Sequence, residues 1–180
     1  VLFKNTSDKI YLYNNLALGN ISSVSISNPL KIVVFYKDFN TVLILDNTLN
    51  IIQKLQFLDK NISLVAKADK NKLWLFNTDV QQLELYDYKS QTVLAKSQPQ
   101  SLLDPKELKG NTNFAWVKTA SNKIKIFNSY GSMLNRLDYT VDNFAVMGTN
   151  RLIFNADAQL YYLSDSLHKI AVKQSLNIIN

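Results

Sequence analysis

Residues 31–46, KIVVFYKDFNTVLILD, read as two apolar strands around a short polar turn. Ile32-Val33-Val34-Phe35 and Val42-Leu43-Ile44-Leu45 are apolar at every position, whereas a strand with one wet face alternates apolar and polar residues. Lys37-Asp38-Phe39-Asn40 between them has the composition of a hairpin turn. A hairpin that is apolar on both faces needs a sheet in front of it and another behind. Its second strand, TVLILD at residues 41–46, is also a template for the rest of the chain. The same pattern recurs at residues 9–14 (KIYLYN), 82–87 (QLELYD), 123–128 (KIKIFN) and 159–164 (QLYYLS). Each copy has a polar opener, two large apolar residues near its end and a closing Asn, Asp or Ser. The closing residues, 14, 46, 87, 128 and 164, stand 32, 41, 41 and 36 apart. A second apolar strand ends 11, 11, 11, 11 and 10 residues earlier, at Phe3, Phe35, Phe76, Val117 and Phe154. A period near forty residues is that of four-stranded propeller blades.

Weaker strands complete each unit. Residues 21–27, 62–68 and 144–148 precede a hairpin, and residues 51–57, 92–96, 133–139 and 169–173 follow one. With the strands lettered a to d from inside to outside, b and c are the apolar hairpin and d is the alternating outer edge. The expected fold is all-β: a single β-propeller domain over residues 1–180, built of five four-stranded antiparallel blades. In that register the first unit supplies its b and c strands, and residues 175–180 (SLNIIN) complete it. A second register makes residues 1–5 and 9–14 strands c and d, with further chain upstream and six blades. One segment reads as helical: Asp104-Pro105-Lys106-Glu107 has a capping Asp, Pro at the first helical position and Glu three residues after the cap, with Gly110 as a stop.

Composition contributes mostly exclusions. The 180 residues are 47% hydrophobic and 19% charged, which suits a folded core. No cysteine is present, so disulfides, thiolate metal sites and cysteine nucleophiles are excluded. The only histidine, His168, opens an outer strand and reads as an edge residue with no nucleophile elbow beside it. Asp8, Asp38, Asp79 and Asp157 fall in turns, where aspartate bonds its own backbone; no loop offers the six to eight oxygens that calcium takes. Glutamate occurs only as Glu84 and Glu107, which weighs against the flanking acids of a glycosidase. Gly19, Gly110, Gly131 and Gly148 are isolated and form no phosphate loop. Trp74 and Trp116 lie on b strands and read as core. The expectation is therefore no enzyme, with no catalytic residue, metal or cofactor.

The net charge of +6 is carried almost wholly by lysine, with Arg136 and Arg151 the two arginines. Readers of nucleic acid lean on arginine's planar fork. The lysines here stand beside turns, the nearest groupings being Lys67, Lys70 and Lys72, and Lys118, Lys123 and Lys125. They read as solvated turns and edge guards, and no nucleic-acid partner is expected. No apolar run reaches the roughly 18 residues needed to span a bilayer. The first residue is Val1 rather than Met, which is compatible with a removed export signal.

Residues 16–47, LALGNISSVSISNPLKIVVFYKDFNTVLILDN, resemble a segment of exported β-propeller proteins of Bacteroidota. Among these are the small propellers that plug the type IX secretion translocon from the periplasmic side. The abundant Asn, Lys and Ile suit an AT-rich genome of that group. The resemblance covers the first third of the chain well and the rest by blade pattern. It implies a propeller fold, export and a periplasmic or outer-membrane-associated location, with an outer-membrane translocon as the partner; the expectation of a non-enzymatic protein-binding role rests on the exclusions above and on the broad loop faces of a propeller. It carries no catalytic residue onto this chain. The alternative is a carbohydrate-binding or carbohydrate-active propeller, which wants convergent acids and exposed aromatics. In an a-b-c-d blade the b–c turns and d–a connections share one ring face. Phe39, Phe57, Leu102, Leu103 and Tyr139 are the apolar residues expected to anchor a partner there.

Overall fold

The computed structural model describes residues 1–100, 104–148, 151–164 and 168–172. Its strands fall into five antiparallel sheets. The first is a hairpin of Leu2–Asn5 (β1) and Ile10–Tyr13 (β2). The second holds Ser23–Ser25 (β3), Ile32–Tyr36 (β4), Thr41–Leu45 (β5) and Ile51–Gln56 (β6). The third holds Ile62–Asp69 (β7), Lys72–Asn77 (β8), Gln82–Asp87 (β9) and Thr92–Lys96 (β10). The fourth holds Pro105–Gly110 (β11), Phe114–Thr119 (β12), Ile124–Asn128 (β13) and Met133–Leu137 (β14). The fifth holds Asn143–Met147 (β15), Arg151–Ala156 (β16), Gln159–Leu163 (β17) and Lys169–Ala171 (β18). In the last four, spatial order follows chain order, so each is a complete a-b-c-d blade. The chain is an all-β propeller of four full blades and one half blade among the described residues.

The core is a series of slabs between neighbouring sheets. Successive strand residues point to opposite faces, so every residue of β4 and β5 is buried by one neighbour or the other. Val33, Phe35, Val42 and Ile44 meet Val65, Leu73, Leu75 and Tyr86 of the next blade. Trp74, Phe76, Leu83 and Leu85 meet Leu108, Ala115, Val117 and Phe127. Trp116, Ile124 and Ile126 meet Phe144, Leu152, Phe154 and Leu163. Each buried Val, Leu, Ile or Phe among them contributes about 1.5–3 kcal/mol by leaving water.

The structure corrects the reading of the first unit. Leu2, Tyr11 and Tyr13 pack on the second sheet, against Ile32, Val34, Leu43 and Leu45. If β2 were strand c ending at Asn14, Ile10 and Leu12 would face that sheet, because their equivalents Val42 and Ile44 face the following blade. The observed phase makes β1 and β2 strands c and d. Thr6, not Asn14, is the closing residue: its hydroxyl accepts a hydrogen bond from Lys9 N at 3.0 Å, and its N–H donates to Lys9 O at 2.9 Å. Asp46 and Asn128 make the corresponding pair of bonds to a residue one place further on, Asn50 and Ser132. The strand expected from residues 175–180 lies outside the described residues.

The helix expected at Asp104–Glu107 is instead the start of β11. β11 is the inner strand of the fourth sheet, pairing with β12 from Pro105↔Thr119 to Gly110↔Ala115. The capping pattern is real but local, and a vacant sheet edge beside β12 outweighs it. Pro105 fits because it is the first residue of an edge strand, where a missing N–H is tolerated.

Gly110 sets the approach of the third and fourth sheets. A Cβ there would stand 2.3 Å from Trp74 Cδ1 and 3.1 Å from the Lys67 carbonyl oxygen. Trp74 is fully buried and tied down by its indole N–H, which donates to Asn111 O at 3.1 Å. Gly110→Ala is expected to cost about 1–3 kcal/mol by overpacking, measured by urea unfolding. Unchanged stability would show that Trp74 can yield.

The closing residues are turn caps. Asp46 Oδ1 accepts from Thr48 N, Thr48 Oγ1 and Asn50 N at 2.8, 2.8 and 2.9 Å. These bonds, the Thr48 hydroxyl first, hold its pKa down to about 2 from 3.8. The stability that this carboxylate contributes is complete above pH 3.8 and is lost as pH falls through about 2. Asn128 caps the equivalent turn through its Oδ1. Asp46→Asn should therefore fold and show a shallower fall of Tm between pH 4 and pH 2 than the parent; an equal fall would place the acid sensitivity elsewhere.

Candidate interaction face

One end of the blades gathers the b–c turns and the d–a connections, and its backbone is braced by a repeated bond. Asn40, Gln81 and Asn122 occupy equivalent turn positions with φ of 48°, 53° and 58°. Their carbonyls accept from Phe57 N at 3.0 Å, Gln100 N at 2.7 Å and Val141 N at 2.8 Å, each in the following d–a connection. Asn40 adds its side chain. Its Nδ2 donates to Phe57 O and Lys60 O, and its Oδ1 accepts from Ile62 N at 3.0 Å. Asp79 accepts from Asn61 N at 2.8 Å and from Asn61 Nδ2 at 2.7 Å, and these bonds hold its pKa below the usual carboxylate range.

Two further braces run between blades beneath this face. Glu84 is buried on the side of β9 facing the second sheet, at the position that Leu43 takes in β5. Lys60 reaches it from the d–a connection at 3.1 Å, and Asn77 Nδ2 donates to its other oxygen at 3.1 Å. One blade on, Lys125 takes the equivalent position, and its Nζ donates to Gln100 Oε1 at 3.0 Å. Burial, and then Arg136, lower the Lys125 pKa. Lys60→Ala would leave Glu84 buried and unpaired, at a cost of about 3 kcal/mol or more. Lys106→Ala breaks only the exposed pair with Asp104 and should cost under about 1 kcal/mol. Chemical denaturation of the two variants separates these outcomes.

The residues expected as anchors divide sharply. Phe39 is 46% exposed at the tip of its turn. Phe57 is only 6% exposed; it meets Tyr86 edge-on at 5.4 Å and belongs to the core. Its phase could have told this, since Leu55 and Phe57 lie two apart and point the same way. Tyr139 is half-buried, stacked on Phe154 at 5.3 Å, and burial raises its pKa. Leu102 and Leu103 lie outside the described residues. The apolar side chain missed on this face is Leu58, 87% exposed. Leu58 and Phe39 line one hollow of about 520 Å³ with Asp38, Asp59, Asn61 and Asp79. Leu16 and Val80, in the connection before β3 and in the β8–β9 turn, are exposed as well.

Elsewhere the polar residues serve the frame. Lys67, expected in a solvated basic patch, is buried: its Nζ donates to the carbonyls of Asp69 and Lys70, while burial, and then Lys31, lower its pKa. Lys31 adds bonds to Lys70 O at 3.3 Å and Asn71 Oδ1 at 2.9 Å. His168 sits in an exposed c–d turn, its N–H donating to Ser164 Oγ at 3.0 Å. A channel of about 530 Å³ runs between the inner strands, lined by Ser23, Ser25, Ala66, Lys106 and Ala145 among others. Among the described residues, no group of three or more carboxylate or imidazole side chains is placed to hold a metal ion. Among them, too, no helix is long and apolar enough to cross a membrane.

Sheets stacked in this way define a β-propeller. Solved structures agree on the fold. Virginiamycin B lyase from Staphylococcus aureus superposes with a TM-score of 0.62 at 13% identity, over 93% of this chain and 60% of its own. Kluyveromyces lactis Hsv2 superposes with a TM-score of 0.59 at 14% identity, over 79% of this chain and 45% of its own. The chain thus spans 60% or less of the length of these two propellers. No protein family and no curated protein matches the sequence.

Proposed function

We propose that the protein is a non-enzymatic binding propeller whose partner is another protein, docking on the face of b–c turns and d–a connections. The observation that carries this is the pair Phe39 and Leu58, exposed across one hollow on loops whose backbones are held by the Asn40 and Asp79 bonds. Apolar side chains on a rigid frame lose little entropy on binding, which is what an interface anchor requires. Three acids, Asp38, Asp59 and Asp79, line the hollow with one lysine, Lys60, which is itself paired with Glu84; this acidic lining favours a partner with basic groups around an apolar centre. A non-catalytic role is supported by the use of the scarce glutamates: Glu84 is spent in its ion pair and Glu107 is paired with Lys109.

The resemblance of residues 16–47 to exported propellers supports placing this binding in the periplasm, with an outer-membrane protein-secretion translocon as the partner. Phe39→Ala and Leu58→Ala should each weaken co-purification of the partner by more than ~1 kcal/mol, roughly fivefold or more. Tyr130→Ala, on an exposed c–d turn of the opposite face, should leave it unchanged. Loss of the complex through Tyr130 alone would reverse the assignment of faces. Recovery of the protein with cytoplasmic rather than envelope markers would exclude the periplasmic reading.

A further inference from the structure

The outer strands of three successive blades repeat a feature that their packing does not call for. β6, β10 and β14 each carry a register shift against their c strand, close to where they begin. The residues left without a partner in the ladder are Ile52, Leu94 and Leu134. They are 54, 50 and 53% exposed. Two places further along each strand stands an exposed cation: Lys54, Lys96 or Arg136. Residues two apart in a strand share a face, so each rim presents an aliphatic group beside a positive charge. The sequence shows the same unit at residues 51–54 (IIQK), 93–96 (VLAK) and 133–136 (MLNR). β18, in the fifth sheet, is regular. A bulge and a lysine suffice to guard an edge against pairing. An exposed Ile or Leu at the bulge works against that guard and calls for another explanation.

The three units join into one strip, because the c–d turn of a blade lies on the outer strand of the blade before it. Gln53 Nε2 donates to Tyr88 O at 3.2 Å, and a Cβ on Gly131 would stand 2.4 Å from Lys96 O. These turns add exposed Lys89 and Tyr130 to the strip. The strip begins at the c–d end of the blades, away from Phe39 and Leu58. The acids along it are engaged. Asp46 and Asp87 accept from the amides of their own turns, and Asp138 accepts from Arg136 Nε at 2.9 Å. Among the described residues Lys54, Lys89 and Lys96 stand in no ion pair.

We propose that this strip is a membrane-contact surface, which seats the protein peripherally on a bilayer containing anionic phospholipid. Ile52, Leu94 and Leu134 enter the apolar boundary, while Lys54, Lys96 and Arg136 reach the headgroup phosphates from the ends of their apolar stems. Three copies of one unit suit a surface that itself repeats, as lipid headgroups do; a protein surface offers different groups at each point. The net charge of +6 assists the approach. The assignment does not rest on the protein-docking face, which uses other loops.

The test is co-sedimentation of the purified full chain with vesicles of phosphatidylcholine alone, or mixed equally with phosphatidylglycerol. Binding is expected to the mixed vesicles and not to pure phosphatidylcholine, and it should weaken as salt rises. Lys54→Gln, Lys96→Gln and Arg136→Gln should each lower the partition coefficient about fivefold, and Leu94→Ser should lower it as well. Lys37→Gln, which removes the same charge from a b–c turn, should leave it nearly unchanged. An equal loss from Lys37→Gln would overturn the inference by reducing the effect to net charge. Absence of binding to the mixed vesicles would overturn it too, and would leave an acidic protein as the occupant. Since the chain has no cysteine, Leu94→Cys accepts a single polarity-sensitive dye. Its emission should shift to the blue on mixed vesicles, and a dye on Phe39→Cys should not respond; the reverse pattern would place the contact on the wrong face.

Discussion

A strand that is apolar on both faces cannot be satisfied by a single neighbour, and this constraint organises the molecule. β4 and β5 are buried at every residue, so the second sheet exists only between two others. The requirement passes from blade to blade because β8, β9, β12 and β13 are built in nearly the same way. It also explains why the polar exceptions are so well furnished. Glu84 and Lys125 stand in the slabs where a hydrocarbon would be simplest, and each is met by a residue from a d–a connection, Lys60 and Gln100. A buried charge without such a partner would cost several kcal/mol. These pairs tie the position of the surface loops to the packing beneath them.

The loop ends are held by the same frame. The strands are occupied with packing, and the turns inherit whatever chemistry remains. On the face of b–c turns, the left-handed residues Asn40, Gln81 and Asn122 give their carbonyls to the next connection. The loops are thus cross-linked by hydrogen bonds rather than free. Phe39 and Leu58 project from that lattice.

The blade pattern was legible because it rests on two-residue alternation and a period near forty, both direct consequences of strand geometry and stacking. What was not legible depended on a neighbour in space. Taking Thr6 instead of Asn14 as the first closing residue changes the leading spacing from 32 to 40, closer to the rest, but a threonine cap lies outside an Asn, Asp or Ser pattern. The Asp104-Pro105-Lys106-Glu107 segment carries a sound helix-start signal and forms a strand because β12 offers an open edge. Phe57 continues the inward series of Leu55 and so belongs to the core, although its place just after a strand reads as a loop position. Leu58 gave no signal of its own: exposure of a lone leucine after a strand depends on what the next connection covers.

The uncharged, fully apolar hairpin strands also bear on the protein's synthesis. Until the chain has folded, β4 and β5 lack the blade that will cover their second face. Each is a short window of high β-propensity without charge or proline, the type of segment that pairs with other chains. Lys31 and Lys37 bracket β4 directly, and Asp46 follows β5. Charges at those borders disfavour the in-register stacking of identical strands. The lysines beside the turns thus act as gatekeepers against aggregation while the stack is incomplete, a task that ends once the next sheet has been laid down.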